Sequence, residues 1–553
     1  MELDGRKLPD QTRLEAEVAI VGAGPAGIVA ALELAQAGHD VLVVESGGTR
    51  FRRDVQRLGA REPGGDGYHL PVGTATRRQL GGNTVMWGGR CVPFDPVDFD
   101  SRELTGGARW PIGLSDLHPH YATACRYLGC GQARFDAQEV PGLAGATLVP
   151  GLPDGDVTTS GLERWSLPTN FGRHYRRQLS GSPQIRVLLH QTCTRIELEQ
   201  DGGAVRRLDT RALDGRRATL SARRYVLACG GLETTRLLMA SGVGDHSGHL
   251  GRWYMAHPQG TIASARFTTP AENTIYAHER DADGVYVRRR FGFSRAFVRD
   301  QGLPSFAAWL VNPELADARH RNGVLSLVYL ALASPAGSVL ASQNVRGDHL
   351  AEAGSAAMLP HVRNLLRDPA AAARFATSFG YQRYLRRGRK TPGFSTYSPD
   401  NRYPLQYQSE HLPNRDSHVS LTGQLDALGV PRLRTHLRFG QADVDGVLNA
   451  HRRIDQHLRR HGVGRLEYDG DDHEAGVREQ LFAGCHQAGT TRMSERPEDG
   501  VVDRDLAVHG VHDLHVASSS AFVTSSHANS TFTILVLALR LAEHLRRELS
   551  SPA

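Results

Sequence analysis

A strand that runs into a glycine-rich turn and then a helix restricts this chain more than any other feature. Val18-Ala-Ile-Val21 is wholly apolar, Gly22-Ala-Gly24-Pro25-Ala26-Gly27 follows at once, and Ile28 to Ala37 is rich in alanine and leucine. Gly38 closes that helix, and a second apolar run, Val41-Leu-Val-Val44, ends in Glu45. The glycines do different physical work: Gly22 permits a tight turn, Gly24 lets backbone approach a pyrophosphate, and Gly27 lets helix and strand pack closely. A helix that starts at Pro25 and Ala26 offers unpaired N–H groups and its positive dipole end to phosphates. Glu45, 18 positions past Gly27 and followed by Ser46, can accept hydrogen bonds from ribose hydroxyls. The unit predicts a βαβ dinucleotide site and leaves nicotinamide and flavin dinucleotides both open.

At 553 residues the chain is long enough for at least two domains sharing a large core. The net charge of +6 is spread along it, with no basic stripe interleaved with aromatics, which argues against nucleic-acid binding. The six cysteines show no zinc-type spacing and no dense disulfide pattern, so no metal is expected. The apolar run Phe532 to Leu541 is too short to span a bilayer, and Met-Glu-Leu-Asp does not start a signal segment. The expectation is a cytoplasmic protein with no membrane partner. Residues 256–345 read as strands, 352–387 as helix, 407–436 again as strands, and 442–460 as an amphipathic helix near 3.6 spacing.

Two further glycine loops favour flavin, because a long dinucleotide is clamped by several distant pieces of chain. Leu80-Gly81-Gly82-Asn83-Thr-Val-Met86-Trp87-Gly88 lets backbone approach a flat ring, with Trp87 able to line it. Tyr225-Val-Leu-Ala-Cys229-Gly230-Gly231 is another strand-to-glycine turn, and Cys193 opens the β-rich segment leading to it. The densest group of acid/base side chains lies near the other end of the chain. There Gly484-Cys-His486-Gln-Ala-Gly-Thr490 precedes Ser525-Ser-His527-Ala-Asn529-Ser530-Thr531.

These segments together resemble the glucose–methanol–choline oxidoreductase family of FAD enzymes. The match covers about a fifth of the chain, spread over its length, and is most specific from His486 onward. The tail Ala528-Asn-Ser-Thr-Phe-Thr is similar to the pyranose-oxidase branch and related bacterial sugar-oxidising members. The resemblance implies that His486 is a general base, since a neutral imidazole takes a proton at cellular pH. It implies that Asn529 steadies the developing alkoxide, and Asn529 is also an expected N-cap for a helix over Thr531–Arg547. His527 matches members that use two histidines. In extended chain it would face the same side as Asn529, as a lesser substrate contact or a structural residue.

The resemblance also implies an FAD contact set of Gly22, Gly24, Pro25, Ala26, Glu45, Ser46, Gly81, Gly82, Asn83, Met86, Trp87, Gly88, Cys193, Cys229, Gly230, Ser519, Ser530 and Thr531. Met86 stands where some members carry a flavin-linking histidine, so the FAD is expected to be non-covalent. Ser518 stands where an aspartate is often found. The expected architecture is α/β: a Rossmann-like FAD domain from 1–104, 190–255 and 481–553, and a substrate domain from 105–189 and 256–480. The latter is expected to be α+β with an antiparallel sheet and a helical insert near 352–390. The implied reaction is oxidation of an alcohol, with a sugar or glycoside as substrate. Oxygen or another acceptor would take the electrons. The alternatives are a non-sugar alcohol from a biosynthetic pathway, or a non-redox lyase on the same fold. The oligomeric state is left open.

Overall fold

The structure, a computed structural model, describes residues 1–63, 69, 75–167, 169–334, 358–385, 388–398, 400–482 and 484–550. Its first layer is a nine-stranded sheet. Strand β1 (Thr12–Val21) leads into helix α1 (Pro25–Gln36) and strand β2 (Val41–Glu45). Strand β3 (Ile185–Leu189) lies parallel to β2 on its far side. Strand β4 (Arg217–Leu227) lies parallel to β1, and β5 (Val511–Val516) is parallel to β4. Residues Val18 to Ile20 and Val41 to Val44 are essentially fully buried. That burial on both faces explains why these strands read as continuous apolar runs rather than alternating ones.

Helix α2 (Gly231–Ser241) leaves the end of β4, and the C-terminal helix α3 (Ser530–Ser550) packs along α1. The expected domain boundary at 190 is corrected by β3. Ile185, Val187 and Leu188 are core residues of the first sheet, so this chain segment has joined the nucleotide-binding layer before residue 190.

A second sheet is antiparallel and four-stranded: Phe306–Leu310, Arg402–Ser409, Gln259–Phe267 and Gly464–Tyr468, in that spatial order. The helix Gln441–Arg460 covers it, with Val444, Val447, Ala450, Ile454 and Leu458 fully buried at helical spacing against Tyr403, Leu405 and Tyr407. This is the expected antiparallel sheet flanked by helices. The all-strand reading of 256–345 is corrected by helices Arg295–Gln301 and Gly323–Ala333. Asn322 caps the second by accepting from Val324 and Leu325 N–H, a local signal that, with its leucines, outweighs β-branched Val324 and Val328.

Within the expected insert, Met358–Arg367 and Pro369–Gly380 are helical; 352–357 lie outside the described residues. Val501-Val-Asp503, which reads as a strand signal, makes only isolated bridges, of Val502 with Met493 and Val508. Among the described residues no helix is long and apolar enough to cross a membrane.

Candidate active site

The carboxyl ends of the parallel strands converge on one cavity. Gly22 and Gly24 follow β1, Glu45 ends β2 and Ser46 follows it, Gln191 to Cys193 follow β3, Ala228 to Gly231 follow β4, and Ala517 to Ser519 follow β5; all line it. Ligands of open α/β sheets bind at this edge, beyond the strand ends. Local sequence builds the edge. A Cβ on Gly27 would sit 2.0 Å from the Gly22 carbonyl oxygen, so only glycine lets α1 approach the turn. A Cβ on Gly24 would meet nothing nearer than the Ala228 oxygen at 4.0 Å, so the space over the helix N-terminus is open.

Glu45 is buried; Oε2 accepts from Ala23 N–H at 3.0 Å and Oε1 from Gly47 N–H at 2.8 Å. Burial pushes its carboxyl above the ordinary value, against the pull of these backbone bonds and Arg78. Arg78 donates to Ser46 Oγ at 3.0 Å and pairs with Glu233. Arg61 also lines the cavity, and its Nε and one terminal nitrogen are buried without a hydrogen-bond partner among the described residues. An open glycine floor, a helix N-terminus and a buried guanidinium with two nitrogens left without partners among the described residues fit an anionic dinucleotide such as FAD.

Of the expected contact residues, Gly22, Gly24, Pro25, Ala26, Glu45, Ser46, Gly82, Asn83, Cys193, Cys229, Gly230, Ser519, Ser530 and Thr531 line the cavity, as does His486. The others stand elsewhere. Gly81 donates its N–H to the Ala23 carbonyl at 2.8 Å and ties the second glycine loop to the first. Trp87 donates from Nε1 to the Thr169 carbonyl at 3.1 Å, so its ring braces the loop instead of lining the cavity. Met86 and Gly88 likewise flank that loop without forming the wall.

His486 is fixed from both sides. The Ala488 N–H and carbonyl pair with the Met255 backbone, and Thr490 Oγ1 meets Thr235 Oγ1 of α2 at 2.7 Å. The Ser519 hydroxyl donates to the Gln487 carbonyl at 2.6 Å. Nε2 of the imidazole lies 3.1 Å from Asn529 Nδ2, and Nδ1 lies 3.4 Å from Gln408 Nε2. The His257 ring stands edge-on, 5.0 Å away between centroids. Burial, and then the Arg90 charge, lower the His486 pKa to about 4, so the ring is neutral at physiological pH.

Behind it, Arg90 donates to Gln408 Oε1 at 2.9 Å and pairs with buried Glu163, which Arg288 also grips at 2.9 Å. Burial pushes Glu163 up, but Arg288 and Arg90 more than offset this and hold it at about 2.

Asn529 immediately precedes α3, which begins at Ser530, but among the described residues its buried Oδ1 has no partner, so the expected cap bond is absent there. His527 does not reach the cavity. His527 and Ala528 form a bend, so the extended geometry that would have put both side chains on one side is absent. His527 is instead fully buried, with Nδ1 2.9 Å from Ser305 Oγ and Nε2 against Arg290. Sequence reasoning missed Arg61, Arg78, Arg90, His257 and Gln408. Arg78 and Arg90 flank the second glycine loop and could have been suspected; His257 and Gln408 carry no local signal.

Family models described as GMC oxidoreductase match residues 173–259 and 413–538, and one described as FAD binding domain matches 15–54. Paromamine 6'-oxidase from Streptomyces fradiae is 24% identical over 99% of this chain and 94% of its own length. The 6'''-hydroxyparomomycin C oxidase from Streptomyces lividus is 24% identical over 96% and 92% respectively. The crystal structure of pyridoxine 4-oxidase from Mesorbium loti shares the fold, with a TM-score of 0.54 at 18% identity over 96% of this chain and 99% of that one. The chain belongs to the GMC oxidoreductase family and is an FAD-dependent oxidoreductase.

Proposed function

We propose that this enzyme oxidises a hydroxyl-bearing carbon of a sugar or glycoside to a carbonyl, with His486 as the general base. The observation that carries the reading is the neutral His486 imidazole on the cavity wall with Asn529 at 3.1 Å. Bound FAD would supply the hydride acceptor. His486 Nε2 takes the hydroxyl proton, and the Asn529 amide donates to the same oxygen as negative charge grows on it. Gln408, held by Arg90, packs against the Nδ1 edge of the ring.

Gly22, Gly24 and the start of α1 would hold the diphosphate, with Arg61 as a charged partner, while Glu45 and Ser46 would face the ribose. Met86 has no group that could bond the flavin ring and is not part of the cavity wall, which supports non-covalent binding. The names of the two aminoglycoside oxidases support a sugar substrate. Arg90 places positive charge near His486 and lowers its pKa. This disfavours an ammonium group beside the reacting carbon and favours a neutral or anionic sugar.

The test is anaerobic mixing of the yellow protein with neutral sugars, glycosides, aminoglycosides and simple alcohols, following flavin absorbance. Bleaching by a sugar that is lost in His486→Ala supports the reading, and readmitted air then shows whether oxygen is the acceptor. A flavin that dithionite bleaches but no alcohol does would overturn it and favour a lyase.

A further inference from the structure

The cavity leaves unexplained a group of side chains at the far end of the C-terminal helix. His544 and Glu548 are four residues apart on α3 and so share one face, with His544 Nε2 3.2 Å from Glu548 Oε1. Beneath them, on β5, sits His515. One potential ligand atom from each of the three lies within 4.8 Å of the other two. His515 is 1% exposed, and its Nδ1 is buried without a hydrogen-bond partner among the described residues. Leaving such a nitrogen unpaired costs free energy unless something else takes its lone pair. An ordinary surface pair of histidine and glutamate would not explain it.

We propose that His515, His544 and Glu548 form a binding site for a divalent transition ion of the zinc type. Two imidazoles and a carboxylate are a zinc donor set, and the half-exposed His544 and Glu548 leave the fourth position to water. Arg224 donates from Nε to Glu548 Oε2 at 2.9 Å, which leaves Oε1 to face the ion and orients the carboxylate as outer-shell partners do. The donors must close by about 1 Å to reach bonding distances near 2.1 Å. His544 and Glu548 can do so by side-chain rotation.

The ion would be structural. Glu548 is 18 residues beyond Ser530, so it lies roughly 27 Å along α3 from the cavity. There it would staple the last turns of the helix to β5, the strand whose end carries Ser518 and Ser519 into the cavity.

The experiment uses tag-free, FAD-loaded full-length protein stripped with a chelator and then titrated with Zn²⁺ by calorimetry, with Co²⁺ absorbance as a check on coordination. One ion per chain is expected. Binding should weaken at least about tenfold in His544→Ala and in Glu548→Gln, with flavin content and sugar-dependent bleaching unchanged. These two variants lie on a partly exposed helix face, so the result does not depend on whether His515→Ala folds. A wild-type protein that takes up no zinc overturns the proposal, as does equal uptake by both helix variants.

Discussion

The amide nitrogen of Asn529 lies 3.1 Å from Nε2 of His486, although 43 residues separate them in the chain. The contact joins two loops that leave different parts of the fold, one pinned to α2 through Thr490 and the other leading into α3. It places a donor beside the lone pair that must accept the substrate proton. Donors of this kind contribute roughly 10²–10³ in rate when they meet developing charge. Asn529→Ala should therefore slow anaerobic flavin reduction by about 10²-fold while the protein stays yellow. A variant that reduces its flavin at the wild-type rate would remove Asn529 from the mechanism.

The depressed pKa of His486 has a consequence for pH. A base works only when unprotonated, and burial together with Arg90 moves its protonation from the ordinary 6.5 to about 4. The rate of flavin reduction should stay level as pH falls from 8 through 6 and drop only as pH approaches 4. Stopped-flow measurements across that range check it. A drop centred near 6.5 would show that the imidazole is solvated in the working enzyme, and Arg90→Gln should move any observed midpoint upward.

The nucleotide-binding half was legible because its physics is local. Gly22, Gly24 and Gly27 act within one turn, and the strands beside them are buried on both faces, so periodicity and spacing reveal them without knowledge of the rest. His486 and Asn529 were found through family resemblance, since nothing in their neighbourhoods says that the chain brings them together. Gln408 and His257 were not found, because Gln408 reaches the site by antiparallel pairing with Gln259 and His257 lies just before that same distant strand. The same-side expectation for His527 and Asn529 fails for one backbone reason: the bend at His527 and Ala528 defeats the alternation that an extended segment would obey.

Gly27 offers a direct test of the nucleotide site. A methyl there would lie 2.0 Å from the Gly22 oxygen, far inside contact distance, and the two nearest atoms are backbone. Helix α1 would have to move off the turn that presents its N-terminus to the phosphates. Gly27→Ala is expected to purify with little or no flavin, read as the ratio of absorbance near 450 nm to that at 280 nm. Full flavin occupancy would contradict the proposed role of the turn.

Acid should weaken the fold through histidines buried as neutral rings. Burial lowers His451, His278 and His486 to about 4. In the unfolded chain each titrates near 6.5, so between these values the unfolded state binds more protons, and stability rises with pH. Their contribution is intact above about pH 6.5, shrinks as pH falls toward 4, and changes no further below that. At about 1.4 kcal/mol per unit, each ring weakens folding by up to about 2 kcal/mol at pH 5. Denaturant midpoints at pH 7.5 and 5 should differ accordingly, and His451→Gln should reduce the difference. Equal midpoints at the two pH values would show that these rings are protonated in the native state as readily as in water.

Arg102 and Glu410 join the two halves of the molecule by a buried two-pronged ion pair, with both N–O distances 2.8 Å. Glu410 follows the strand Arg402–Ser409 of the antiparallel sheet and also accepts from Ser305 N–H at 3.0 Å. Both side chains are nearly inaccessible, at 4% and 0% exposure, so the loss of one partner strands a charge that water cannot reach. Removing one member of such a pair typically costs about 3–5 kcal/mol, whereas replacing both by apolar groups of similar size is often neutral. Arg102→Met alone should lower the denaturation midpoint sharply, and adding Glu410→Leu should restore most of the loss. If the double variant is no more stable than the single one, the damage comes from packing and from the Ser305 bond, and the pair itself is not what holds this junction.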